Sequence, residues 1–316
     1  MTDLERAVRT VLVDCLGVKH GEDVLVVTDP ARRSIAEALV KTARDLGAEA
    51  ILAEMAERAN HGTEPPRAVA AAMGDCDVLI APTSKSLSHT EARHEACARG
   101  ARVATMPGVT EDMLARTMSV DFPQVARRSR VVADLLTEGS SVRITTEVGT
   151  EVTIGIAGRE GLADDGDLRA RGAFGNLPAG EGFVAPVEGT TTGRVVFDGS
   201  VWPLGLLREP LTVELRDGYA SEIRGNNASE WRAVLESHGR EAFAVAELGI
   251  GTNDAAKLTG NVLEDEKILG TIHIALGDNH TFGGNIRVSS HQDGVVLKPS
   301  VFIDENPVLE DGRLVI

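Results

Sequence analysis

The texture of the chain changes once, near Gly139, and that change limits the folds open to it. Before it, short aliphatic runs alternate with segments of helical period. Asp23 to Thr28 reads as a strand, Pro30 opens a helix to about Leu46, and Gly47 stops it. Proline suits a first helical turn because its missing N–H would go unpaired there anyway. Ala48 to Ala53, Asp77 to Ala81 and Arg102 to Thr105 read as three more strands, with a helix from His89 to Arg99 closed by Gly100. Such alternation is the mark of βαβ units and a parallel sheet. A last helix finishes over Arg127 to Thr137. Beyond Gly139 to Ser141, β-branched residues, glycines and turn signals take over. Val142 to Thr146 and Glu151 to Ile156 predict a hairpin around Gly149. Gly218 to Arg224 predicts a short strand, and Glu230 to Gly239 a helix. The expectation is an α/β domain with an open, Rossmann-like parallel sheet over residues 1–138. An α+β domain over 139–316 follows, carrying the functional site.

A chain of 316 residues with 42% hydrophobic content is long enough for two packed cores. Its net charge of −16 argues against a nucleic-acid partner. Aromatic residues make up only 3% and are not interleaved with basic ones, which speaks against base-stacking surfaces. No apolar run approaches the roughly 20 residues of a membrane span. The opening MTDLERAVRTVLVDCLGV reads as an amphipathic helix, not a secretory leader. Cys15, Cys76 and Cys97 lie far apart with no C-x-x-C spacing, so buried thiols in a reducing cytoplasm are expected.

Common site motifs are missing. The strand-to-helix turn VVTDPAR has no G-x-G-x-x-G and no Walker lysine. There is no G-x-S-x-G, no H-E-x-x-H and no cysteine beside a histidine. Thr83 to Thr90 follows a strand, where open sheets place ligand loops. The bland alternative is a helix start capped by Ser88 or Thr90. Asp164 to Asp167 is acidic but lacks EF-hand spacing, and reads as a solvated loop.

The chemistry concentrates between Ala246 and Pro299. Three of the eight histidines fall there, His273, His280 and His291, among eight glycines. His291 and Asp293 stand two apart, so on a strand they share a face. In the run Gly270 to Leu276, Ile272, Ile274 and Leu276 share one face, which turns His273 to the other. Glu247 precedes GIGTN, where backbone can approach a ligand closely. Glu181 sits in the Gly- and Pro-framed NLPAGEGFVAP. Carboxylates and imidazoles suit zinc, manganese, cobalt or iron. Taken singly, each residue has a structural alternative: a core histidine, a surface strand pair, an exposed loop acid. The run Glu264 to Lys267 reads either as a solvated helix start or as a source of an acid that steadies a ligand histidine. A sheet in which the strands of Glu247, His273 and His291 adjoin would unite these residues.

At these residues the chain resembles the aminopeptidase T metallopeptidases, also called thermophilic metalloproteases, and within them the compact leucyl aminopeptidase branch. NLPAGEGFVAP, AELGIGTN, LTGNVLEDEK, GTIHIALGDN, FGGN and SHQDGVVLKP carry the resemblance in order. It implies a metal-dependent aminopeptidase with two divalent ions, zinc, cobalt or manganese. Their ligands would be Glu181, Glu247, His273, His291 and Asp293, with Glu247 between the ions. Glu247 and His280 would take the catalytic roles, His280 or an acid of the EDEK run moving a proton. It further implies a small peptide or other small-molecule substrate and a dimer or higher homo-oligomer. The full-length aminopeptidases carry a tyrosine shortly after the H-x-A-x-G histidine, where this chain reads DNHTFGG. The same superfamily includes ring-opening dioxygenases acting on 2,5-dihydroxypyridine, which use one Fe(II) on two histidines and one carboxylate. His273, His291 and Asp293 would supply that set, so the resemblance admits two reaction classes.

Overall fold

The computed structural model describes residues 2–316. The chain forms two compact units: Met1–Gln124 with Gly166–Ala179, and Val125–Asp165 with Gly180–Ile316.

The first unit is built on a parallel sheet. Its strands run Glu49–Glu54, Asp23–Thr28, Val78–Thr83, Arg102–Pro107 and Phe174–Asn176 in spatial order. The central strand Val78–Thr83 is buried at every position, as expected of a parallel strand covered on both faces. Helix Arg33–Asp45 buries Ile35, Ala36, Leu39, Val40 and Ala43 along one stripe. Pro30 opens a short 3-10 turn, Pro30–Arg32, capped by Asp29, before the α-helix begins at Arg33. In the Thr83 to Thr90 stretch, Thr90 caps the helix Glu91–Arg99, as in the capped-helix reading, while Ser84 and Ser88 bond to other strands and loops of the unit. Thr90 Oγ1 accepts from the Arg93 N–H at 3.3 Å. Ser88 Oγ lies 2.8 Å from Thr105 Oγ1.

The second unit is antiparallel. Eight strands form one sheet, in the order Tyr219–Arg224, Leu211–Arg216, Thr192–Phe197, Glu151–Gly155, Ser141–Thr145, Ser300–Ile303, Asn306–Glu310 and Arg313–Leu314. A seven-stranded sheet runs Gly205–Leu206, Ser200–Val201, His291–Val296, Ile272–Gly277, Val245–Gly251, Glu181–Val184 and Leu162–Asp164. Both sheets bury side chains in one apolar cluster, which includes Ile144, Ile154, Val195 and Phe197 from the first and Leu248, Ile250, Ile274 and Val296 from the second. Trp231, on helix Ala228–His238, is fully buried in the same cluster.

The chain therefore has the expected α/β and α+β parts, but a single cut after residue 138 does not separate them. Helix Phe122–Glu138 places Val132 and Leu136 in the core of the second unit. The chain then returns to the first unit over Gly166–Ala179 to add the strand Phe174–Asn176 beside Arg102–Pro107. That three-residue strand, FGN, contributes mainly backbone pairing, so it leaves no hydrophobic pattern to read.

Candidate metal centre

The pairing of four neighbouring strands fixes the face on which each polar side chain lies. Residues directly opposite in an antiparallel pair share a face, as do residues two apart on one strand. Glu181 pairs with Gly251 and Phe183 with Gly249. Glu247 pairs with Ala275 and Gly249 with His273. His273 pairs with Val295, Ala275 with Asp293, and Gly277 with His291. Glu181, Glu247, His273, His291 and Asp293 therefore stand on one face of one sheet, and the strands of Glu247, His273 and His291 adjoin. The opposite face sends Leu248, Ile250, Ile272, Ile274 and Leu276 into the core.

Two local devices make this face usable. The Val245–Gly251 strand shifts register between Val245 and Glu247 against its partner. One extra residue in a bulge reverses the alternation. Val245 thus packs in the core while Glu247 faces the polar cluster. The backbone carbonyl of Ala246, the extra residue, accepts from Asn279 Nδ2 at 3.4 Å. Small residues, Gly249, Gly251, Ala275 and Gly277, fill the positions between the acids and imidazoles, which leaves those side chains room to converge.

Converge they do. His273 is fully buried, and its Nε2 lies 3.1 Å from Glu181 Oε2 and 3.1 Å from Glu247 Oε1. His291 Nε2 lies 3.5 Å from Glu247 Oε2 and 3.4 Å from Asp293 Oδ1. Three sets of ligand atoms, each within 4.8 Å of one another, could hold an ion: Glu181, Glu247 and His273; Glu247, His291 and Asp293; and Glu266, His273 and Asp293. Asp293 and Glu247 each belong to two sets. In His291, Nδ1 lies 2.8 Å from the backbone carbonyl of Asp278 and can donate to it. That bond leaves the Nε2 lone pair facing the cluster, the usual way a ligand imidazole is oriented.

Residues that the sequence left ambiguous complete the site. The EDEK run is no solvated helix start. Glu264 accepts from the Lys257 N–H at 2.7 Å, and Asp265 from the N–H groups of Thr259 and Gly260 at 2.7 and 2.8 Å. Glu266 joins His273 and Asp293, and the Lys267 ammonium bonds Glu181 at 2.5 Å and Glu266 at 2.7 Å. Asp164, read from sequence as solvated, is 3.2 Å from the same ammonium. Its neighbour Asp165 pairs with Arg130 at 2.5 Å. His280 does not enter the converging groups. Its Nδ1 is 2.8 Å from the Asp278 carboxylate, in the partly exposed loop between the two histidine strands. The same loop brings Phe282 edge-on to both Phe183 and His291, with ring centroids 5.7 and 5.9 Å apart. Phe183 shares the site face through its pairing with Gly249. An aromatic in GEGFVAP and another in HTFGG were the available signals for this wall.

The electrostatics show a cation-seeking pocket. Burial opposes charge on His291, but Asp293 and Glu247 outweigh it and push the imidazole up to about 10. Burial likewise opposes charge on His273, and Glu181 and Glu247 raise it well above the ordinary range. Burial, with Glu181 and Asp293, pushes Glu266 up to about 8 against the pull of Lys267. Glu181 behaves oppositely: burial would raise it, but Lys267 and His273 hold it down at about 2. The surrounding acids thus favour protonated imidazoles at His273 and His291, and divalent cations replace protons at such sites. One imidazole N–H cannot serve two carboxylates. His273 Nε2 aligns with Glu247 Oε1, and the buried Glu181 Oε2 is left without a hydrogen-bond donor. Orphaned oxygen beside imidazole and carboxylate is a donor set that suits a first-row divalent metal.

Comparison with known proteins places the chain in a family of enzymes. No curated protein matches the chain in sequence. Among solved structures, it is similar to the 2,5-dihydroxypyridine dioxygenase of Pseudomonas putida, with a TM-score of 0.85 and 19% identity over 100% of this chain and 98% of that one. It is also similar to wild-type AmpT from Thermus thermophilus, with a TM-score of 0.72 and 16% identity over 99% of each chain. At these identities the likeness is one of fold, shared by both enzymes. A family model described as NicX, 2,5-dihydroxypyridine 5,6-dioxygenase, matches residues 3–316. By that match, which spans nearly the whole sequence, the chain belongs to the 2,5-dihydroxypyridine 5,6-dioxygenase (NicX) family.

Proposed function

We propose that this chain is a mononuclear Fe(II) dioxygenase that opens an electron-rich, hydroxylated nitrogen heteroaromatic ring of the dihydroxypyridine kind. The observation that carries the reading is Asp293. Like Glu247, it shares one ligand set with His273 and another with His291; unlike Glu247, it stands on the same strand as His291, two residues on. Two histidines and one carboxylate are the donor set of non-haem Fe(II) oxygenases. When bound, a ferrous ion supplies the electron exchange with dioxygen that these side chains lack.

His273, His291 and Asp293 would hold the ion. The Asp278 carbonyl keeps His291 in the tautomer that offers Nε2. Glu247, buried on the same face, would then be a free carboxylate placed to take the proton of a ring hydroxyl. Phe183 and Phe282 give an apolar aromatic wall against which a planar ring stacks and from which water is excluded. Of the two, Phe282 lies in the DNHTFGG stretch, where the aminopeptidases that the chain resembles carry a tyrosine.

A second reading has its own observation. Glu247 directs Oε1 toward His273 and Oε2 toward His291, at 3.1 and 3.5 Å. A carboxylate so placed could bridge two ions, as a hydrolase activating water for an aminopeptidase reaction would require. The two readings separate in one assay. Protein loaded with Fe(II) under anaerobic conditions is mixed with 2,5-dihydroxypyridine in an oxygen electrode while ring absorbance is followed. The dioxygenase reading expects one O2 consumed per ring lost. Release of leucine from a leucyl peptide, with no oxygen uptake on any hydroxypyridine, would contradict it.

A further inference from the structure

We propose that Lys267 is a built-in cation that stands in for a second metal ion and keeps the centre mononuclear. The inference rests on the one-ion reading above and deepens it. Lys267 is 1% exposed. Its ammonium lies 2.5 Å from Glu181 Oε1, 2.7 Å from Glu266 Oε1 and 3.2 Å from Asp164 Oδ2. Three carboxylates from three separate segments surround one nitrogen, which is how a cation is held and not how a core lysine stem packs. The backbone fixes the residue as well. Its N–H donates to Glu264 O at 2.9 Å, and its carbonyl accepts from the Asn253 N–H at 2.9 Å.

Glu181 shows what this does to the centre. One of its oxygens is taken by Lys267 and the other faces His273. A second divalent ion bound through Glu181 and Glu266 would have to sit against the ammonium that already bonds both. Like charges at such range, in a buried site, repel strongly. Lys267 therefore neutralises the acids on one side of His273 and leaves His273, His291 and Asp293 for a single ion. It acts through Glu181 and Glu266 as a positioning residue and touches neither the ion nor the substrate.

The test counts ions. Wild-type protein, K267R and K267M are stripped of metal, equilibrated with excess Mn(II), freed of unbound ion and analysed for manganese per chain. Calorimetric titration supplies the stoichiometry independently. One ion is expected in wild type and in K267R, where the cation is kept, and two in K267M. A merely structural lysine would not add a stoichiometric ion when removed. One ion in K267M overturns the proposal while the one-ion reading stands; two ions in wild type overturn the one-ion reading itself. Where K267M does not fold, the double variant K267M/D164N removes one buried charge of each sign and retains Glu181 and Glu266. It is expected to bind two ions, and one ion there also overturns the proposal.

Discussion

An ideal Cβ built on Gly249 would stand 2.0 Å from Cε1 of His273 and 2.3 Å from its Nε2. The paired imidazole lies against this glycine, so any side chain there displaces it. Gly249→Ala is expected to cost about 1–3 kcal/mol of stability, as overpacking does. It should also weaken metal binding by roughly 10–100-fold, the range seen when the support of a metal ligand is lost. Calorimetric titration of the folded variant measures this, and wild-type affinity would contradict it. The histidines carry a second prediction. In the metal-free protein His291 titrates at about 10 instead of 6.5. A raised folded-state pKa stabilises fully below the unfolded value and is lost as pH climbs through the folded one. Glu266, moved from 4.5 to about 8, adds to the loss over its own window. Glu181, lowered from 4.5 to about 2, works the other way and only in acid. The melting temperature of metal-free protein should therefore fall as pH rises from about 6.5 towards 10, and that of metal-loaded protein should fall less. Metal binding at pH 7 should release about two protons, one from each imidazole. Melts across pH and calorimetry in buffers of different ionisation enthalpy check both; a flat metal-free profile with no proton release would refute them.

The strand His291–Val296 alternates a site face with a core face, and its core side is anchored by one hydrogen bond. Trp231 Nε1 donates to Gln292 Oε1 at 2.5 Å, with both side chains buried. Trp231→Phe keeps most of the ring volume but leaves Gln292 without that donor, at an expected cost of about 1–3 kcal/mol. Urea melts should show that loss, and metal stoichiometry should not change. A loss under roughly 0.5 kcal/mol would mean that the bond does not anchor the strand. At this scale much could be read from the sequence. Period-2 alternation in IHIAL and in H-x-D gives the sheet face on which His273, His291 and Asp293 lie, because a strand offers a side chain only two directions. The bulge before Glu247 was not legible, since a shift of pairing depends on the partner strand. Nor were the buried states of Asp164, Glu266 and Lys267. Polar residues in turn-like stretches look solvated until a distant segment brings the opposite charge. His280 was misleading for a related reason: it is near His273 in sequence, yet the loop turns its imidazole to Asp278.

Across the whole chain, the βαβ alternation and the change near Gly139 gave the two architectures. The excursion over Gly166–Ala179 and the reach of helix Phe122–Glu138 moved their boundaries. No helix among the described residues is long and apolar enough to cross a membrane. The candidate metal site belongs wholly to the antiparallel unit and is assembled from five of its segments: Leu162–Asp164, Glu181–Val184, Val245–Gly251, the Glu266 and Lys267 pair, and the two histidine strands with their loop. Such a site exists only in the folded chain, so ion count reports on the whole assembly. The most direct test of the account is the metal content of protein purified anaerobically without added metal. One iron per chain, removable by a chelator and lost in His273→Ala, is the predicted result. Two zinc, cobalt or manganese ions per chain would contradict it.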